Sequence, residues 1–312
     1  MKTKKLSALI MALLMVFAIT SCAPNATDAS PSPSTETSPE STEITVTDMT
    51  DRETILDKPT EKIVALTPSD CEILYAIGAG ATLVGRGGYC DYPAEVLDIP
   101  AVQSGSETNI EQIISLGPDV VIMSTMAQTT EHVESLEAAG IKVIVTDAHN
   151  IEGIYTGITL IGEVVGKTNE ATTVIDSMKA TFADIQSKVE ASGEKTIYFE
   201  VAPLAYGPYA AGSGTFMDEL AVMLGLTNIF NDLEGWPQVS EEQVIERSPD
   251  YIVTTTMGSL DAVEEISSRQ GWDSITAITN GNILNADSNT ITRPGPRLAD
   301  AAQELYDFVY GG

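Results

Sequence analysis

The sequence predicts an α/β protein of two similar lobes, each a parallel sheet flanked by helices, joined by one long helix and enclosing a ligand cleft. Three observations predict it. Strand-like and helix-like runs alternate along the chain, the pattern of parallel sheets covered by helices. Residues 111–122 return 131 positions later as residues 242–253, with five of the twelve positions identical and three more exchanging Ile and Val. A spacing that wide is not a solenoid, whose repeats run to ~20–50 residues, so the copies mark two like lobes. Between the copies lies a helical pattern from Thr168 to about residue 191, with Ala171, Val174, Ile175, Met178, Phe182, Ile185 and Val189 at steps of three and four.

The elements follow in order. Residues 62–66 read as a strand; Ser69 and Glu72 form a capping box for a helix to Ile77; Gly78 and Gly80 end it; residues 82–85 are the next strand. Each copy of the repeat is a short capped helix, a Pro-Asp break and a buried strand. Asn109 caps the first, and Ser240 opens a capping box with Gln243 in the second. The long helix would span roughly 36 Å at 1.5 Å per residue. As the only crossing it would restrict hinge motion. Residues 196–201 are a strand leading through a loop to a helix around residues 216–224, stopped by Gly225. In such sheets a ligand lies beyond the carboxyl ends of the strands, so both lobes aim loops at one space.

The N-terminus sets the address. Lys2, Lys4 and Lys5 precede an apolar run from Leu6 to Ile19, the layout of an export signal and too short to span a bilayer comfortably. It ends in Ile19-Thr20-Ser21-Cys22, which resembles the lipobox of bacterial lipoproteins, implying that Cys22 becomes the lipidated mature N-terminus. The Ser-, Thr- and Pro-rich stretch that follows cannot bury enough apolar surface to fold and reads as a tether. The chain has 16 basic and 45 acidic residues, a formal charge of −29, and loss of the three signal lysines takes it to −32. That excludes nucleic acid and anionic membrane surfaces as partners.

Catalytic and metal chemistry find no foothold. Residues 162–168 mimic a phosphate loop but have one residue too few between the glycines and follow a helix; Gly78-Ala79-Gly80 sits at a helix end, where no amide-rich helix start is available. There is no Gly-x-Ser-x-Gly elbow. His132 and His149 read as surface residues outside any zinc spacing. Apart from Cys22, Cys71 and Cys90 form an even pair in an exported chain, either a disulfide or two free thiols.

The lipobox, tether, two Rossmann-like lobes and bridging helix together resemble the helical-backbone class of ABC-importer substrate-binding proteins, which carry vitamin B12, ferric siderophores or haem. Local matches are strongest to the vitamin B12 branch: Tyr89-Cys90-Asp91-Tyr92-Pro93, Asn109-Ile110-Glu111, Trp236-Pro237-Gln238-Val239-Ser240, and Arg293 with Pro296-Arg297. The resemblance implies a signal over 1–22, a tether over 23–52, lobes at 53–166 and 193–312, and a bridge at 167–192. It implies Tyr89, Tyr209, Trp236, Asn289 and Arg293 as ligand contacts, with Arg86 and Met126 as further candidates by position. Glu111 and Glu242, one per lobe, would dock onto arginines of a permease dimer served by ATPase subunits. Where that branch has two further tryptophans, this chain has Gly105 and Ser124. The expected activity is capture of a corrinoid by a lipid-anchored monomer with no cofactor of its own. A ferric siderophore or haem is the alternative ligand, and an extracytoplasmic enzyme or surface sensor the alternative class.

Overall fold

The computed structural model describes residues 43–105, 107–125, 129–189, 195–255 and 262–311, all within one compact unit, Ser41–Gly312. The signal, Cys22 and the tether as far as residue 42 lie outside the described residues, as do Met126 and the last residues of the predicted bridge. Two strands, β1 (Ile44–Thr47) and β2 (Glu53–Leu56), form an antiparallel hairpin. This corrects the expected end of the tether at residue 52. Val46 and Leu56 are buried, and the Asp48 carboxylate accepts N–H groups from Thr50, Arg52 and, far along the chain, Val145.

The first lobe then runs β3 (Ile63–Ala65), α1 (Pro68–Ala76), β4 (Leu83–Gly87), β5 (Ala101–Val102), α2 (Ile110–Ser115), β6 (Val120–Ser124), α3 (Thr130–Ala138), β7 (Lys142–Thr146) and α4 (Ile151–Val164). Next comes α5 (Thr168–Lys188), followed by β8 (Thr196–Glu200), α6 (Phe216–Met223), β9 (Thr227–Asn228), α7 (Glu241–Arg247), β10 (Tyr251–Thr254), α8 (Ala262–Ser267), α9 (Thr276–Asn280), β11 (Ile283–Asn285), α10 (Ser288–Ile291) and α11 (Leu298–Tyr310). The first parallel sheet has the order β5-β4-β3-β6-β7 and the second β9-β8-β10-β11.

Once β5 is set aside the two sheets have the same order, and the repeat supplies the equivalent strands β6 and β10. The correspondence extends to single bonds. Asn109 accepts the amide of Gln112 and Ser240 that of Gln243, the latter within a full capping box. After the break, the Asp119 amide donates to the Lys62 carbonyl beside β3, and the Asp250 amide to the Thr196 carbonyl of β8. Both copies therefore start a strand next to the first strand of its sheet.

The bridging helix α5 buries Ala171, Ile175, Met178, Phe182 and Ile185 on one face, where they join a continuous core with Leu74 and Ile161 of the first lobe and Phe199, Leu220 and Leu305 of the second. It is the covalent crossing but not the sole tie between the lobes. The Phe216 amide donates to the His149 carbonyl and the Ile151 amide to Glu219 Oε2. An ion cluster adds a third connection.

Candidate ligand-binding cleft

A cavity of about 740 Å³ opens between the lobes. One wall comes from the carboxyl ends of the first sheet: Leu66 to Asp70 after β3, Gly88, Tyr89 and Asp91 after β4, Ser124 and Thr125 at the end of β6, and Thr146 to His149 at the end of β7. The other comes from Phe216 at the start of α6, Trp236, and Asn289, Thr292, Arg293 and Pro294 around the end of α10. The Trp236 indole is fixed edge-on against Phe216, with ring centroids 5.5 Å apart. Mostly apolar walls with a few placed polar groups, in this size range, are the usual make-up of a small-molecule site.

The expected contacts are brought together unevenly. Tyr89, Trp236, Asn289 and Arg293 all line the cavity, Tyr89 as a rim residue 73% exposed. Tyr209 does not. It pairs with Gln238 across an isolated bridge, and its carbonyl accepts the Val201 amide, so it braces the loop behind the Trp236 wall. Arg86 is also turned away, donating to the carbonyls of Ile99, Gly87 and Cys90 and so holding the loop that presents Tyr89. His149, read from sequence as a surface residue alone, lines the cavity with its ring nitrogen 3.1 Å from Asp147. Gly105 and Ser124 line it too. Gly105 has φ +107° with open space where a Cβ would stand, so this wall is wide where a large aromatic would narrow it.

Arg293 has a second occupation. Its Nη1 donates to Glu72 Oε1 at 2.9 Å and Asp91 Oδ1 at 2.6 Å, and its Nη2 to Asn289 Oδ1 at 2.6 Å. Arg297 donates through Nε and Nη2 to the same Glu72 carboxylate, at 2.9 and 2.6 Å, and lies over the Tyr92 ring. Burial of Arg293 works against its charge, but Asp91 and Glu72 more than offset this and hold its affinity for the proton above the usual range. In return the Arg293 hydrogen bond holds Asp91 below the usual carboxylate range. Glu72 and Asp91 belong to the first lobe and both arginines to the second, so the cluster straps the lobes together beside the cavity. This also corrects the capping-box reading of Ser69 and Glu72. The helix starts one turn-fraction earlier, with Thr67 at the cap and Pro68 at its first position, a place suited to a residue without an N–H. Glu72 is thereby released for the arginines.

Asp70, unforeseen from sequence, is the most buried acid of the wall, 1% exposed. Thr67 and Thr146 donate their hydroxyls to its two oxygens. Burial pushes its carboxyl up to about 6, against the pull of those two hydrogen bonds. A polar residue in the first turn of an ordinary-looking helix gave no local signal of this.

Of the two alternatives for Cys71 and Cys90, the structure has two free thiols, both buried. Each points at the Ala65 carbonyl oxygen, at 3.7 and 4.0 Å. Contact with Cys90 and burial raise the Cys71 thiol well above its ordinary value. Glu111 and Glu242 stand far from this chemistry in kind. Both are exposed at the second position of α2 and α7. A backbone amide and the Ser240 hydroxyl hold Glu242 below its ordinary value. Among the described residues no group of three His, Cys, Asp or Glu side chains could hold a metal ion, and no helix is long and apolar enough to cross a membrane.

Comparison with known proteins agrees with this architecture. An uncharacterized ABC transporter substrate-binding lipoprotein of Bacillus subtilis is 35% identical over 275 residues, covering 86% of this chain and 85% of its own. A vitamin B12-binding protein of Salmonella choleraesuis is 28% identical over 78% of this chain and 88% of its own. The crystal structure of a possible iron-binding, periplasmic solute-binding protein from Staphylococcus epidermidis superposes with a TM-score of 0.72 at 30% identity, covering 81% of this chain and 100% of that one. Residues 63–290, from the first strand of the first sheet to the helix beside Arg293, match the periplasmic binding protein family, and the chain belongs to it.

Proposed function

We propose that this chain is the extracytoplasmic, lipid-anchored binding component of an ABC importer, and that it captures a corrinoid-type ligand and delivers it to the permease. The observation that carries the reading is the cavity itself. It is large, mostly apolar and walled on one side by the strand ends of the first sheet and on the other by Phe216, Trp236 and the end of α10, with one indole fixed edge-on and open space at Gly105. A bulky ring system with polar substituents suits such a space. The similarity to a vitamin B12-binding protein supports the same ligand class. Cys22 would carry the lipid. Glu111 and Glu242, equivalent in the two lobes and exposed, would meet arginines of a permease dimer, with its ATPase subunits beyond the membrane.

A ferric siderophore or haem is the second reading, favoured by the likeness to the possible iron-binding protein. A thermal-shift panel of cyanocobalamin, cobinamide, haem and ferric siderophores separates the two. A ligand at 100 times its dissociation constant adds about 2.7 kcal/mol. Stabilisation by the iron ligands without any by the corrinoids would overturn the first reading.

A further inference from the structure

The charges around the cleft narrow its ligand class, an inference that rests on the cleft being the binding site of the reading above. Apart from Lys2, Lys4 and Lys5, every lysine and arginine of the chain lies among the described residues, and of these Arg293 alone lines the cavity. Its charge and that of Arg297 are matched by Glu72 and Asp91. The remaining basic group of the wall, His149, is paired with Asp147, which also accepts the Thr125 hydroxyl. Left over is Asp70, with hydroxyl partners and no cation among the described residues. It occupies the first turn of α1, where the positive end of a helix would otherwise welcome an anionic group of the ligand. An anionic substituent entering here would meet acids and no free counter-ion; a cationic centre or a ring of N–H donors would meet Asp70, Asp147 and the threonine hydroxyls.

We infer that the cleft selects ligands without net negative charge, presenting a cationic or N–H-donating group to Asp70. Cationic or amide-rich macrocycles fit; polycarboxylate macrocycles and anionic iron chelates do not.

The test uses the purified chain and isothermal titration with two probe pairs. Cobinamide and cobyrinic acid share a macrocycle but differ in carrying amides or carboxylates. A cationic and a sulfonated triarylmethane dye of matched size repeat the contrast without a corrin. The parent should bind the cationic or amide member at least about tenfold more tightly in each pair, since unlike charges in a partly dry site differ by more than the 1.4 kcal/mol that a factor of ten represents. Asp70→Asn should shrink that ratio while leaving the cooperative melt intact. Equal binding of the two dyes, absence of binding by both, or a preference for the sulfonated one overturns the inference. A dye preference as expected with neither corrinoid bound leaves the charge selection standing and removes the corrinoid reading. A ratio unchanged in Asp70→Asn assigns the selection elsewhere and overturns the role of Asp70, and the parent's own ratios decide the matter should that variant not fold.

Discussion

Asp70 and Glu72 stand two residues apart on α1 and are almost equally buried, 1% and 3% exposed, yet they meet opposite surroundings. Glu72 turns to the second lobe and receives three N–H groups from two arginines. Asp70 lines the cavity and, among the described residues, receives two hydroxyls and no cation. A buried carboxylate must be compensated or hold its proton more tightly. Glu72 takes the first course and becomes a strap between lobes. Asp70 takes the second and is left poised for whatever enters the cleft. One helix thus holds the lobes with one acid and sets a buried, under-compensated acid in the cavity wall with the other.

The largest expected effect breaks the first half of that contrast. Glu72→Ala strands two guanidiniums that are 12% and 15% exposed, and removal of one member of a buried ion cluster typically costs about 3–5 kcal/mol. Asp91 would retain part of the Arg293 interaction, so the loss should sit near the lower end. Urea unfolding at neutral pH measures it. A loss of under about 1 kcal/mol, the size of an exposed pair, would mean the strap is a surface ornament.

Asp70 should behave in the opposite sense. Its carboxyl titrates at about 6 in the folded chain against an ordinary 3.8. Between those values the unfolded chain has released the proton and the folded chain has kept it, so stability contributed by this group is present below 3.8 and lost as pH rises through 6. Two pH units correspond to about 2–3 kcal/mol. Asp70→Asn should therefore flatten the pH profile of stability between about 4 and 6 and melt above the parent at pH 7, less whatever the lost hydroxyl contacts contribute. Parallel profiles for parent and variant would place Asp70 in a better compensated environment than its hydroxyl partners indicate.

The contrast also explains what could be read in the sequence. The parallel sheets, the α5 stripe and the two repeat helices are local patterns of period two or three to four with caps at their ends, and these are written in adjacent residues. The side chains of the cleft are not. Glu72 looked like half of a capping box because Ser69 stands three residues before it; its partners Arg293 and Arg297 lie 221 and 225 positions away. Asp70 and His149 became cavity residues through the register of β3 and β7, which no single segment specifies. Tyr209 stands in a loop after β8, but its backbone bridges Gln238 and it is not among the residues that line the cavity. β1 was hidden for a related reason, since four residues of alternating pattern next to a polar stretch acquire their meaning only when β2 pairs with them.

A smaller effect separates binding from stability. Trp236 shares the cavity with Asp70 but belongs to the other lobe, half-buried against Phe216. Trp236→Ala should weaken the ligand by roughly 1–3 kcal/mol, the range for truncated binding anchors, while leaving the pH dependence of stability unchanged. Affinity equal to the parent's, by titration with the ligand that the thermal-shift panel selects, would remove the indole from the binding surface.

The smallest effect on fold and ligand should come from two exposed acids that form no salt bridge among the described residues. Glu111 and Glu242 occupy the same position of equivalent helices, each exposed to solvent. Near a helix start a carboxylate contributes about 0.3–1 kcal/mol, so reversing either to Lys should barely move the melting temperature, and neither residue lines the cavity, so ligand affinity should hold. Uptake by cells carrying the permease is the discriminating measurement. If the two acids meet arginines across an interface, a lysine at either place turns attraction into repulsion, and like charges juxtaposed at an interface cost several kcal/mol. The double reversal should then transport less than either single. Added salt should weaken docking of the parent more than that of the double variant, because exposed charges are screened over ~8–10 Å at physiological ionic strength. Normal uptake by a well-expressed double variant would return both acids to the ordinary work of starting a helix, and would leave the repeat as the imprint of a duplicated fold alone.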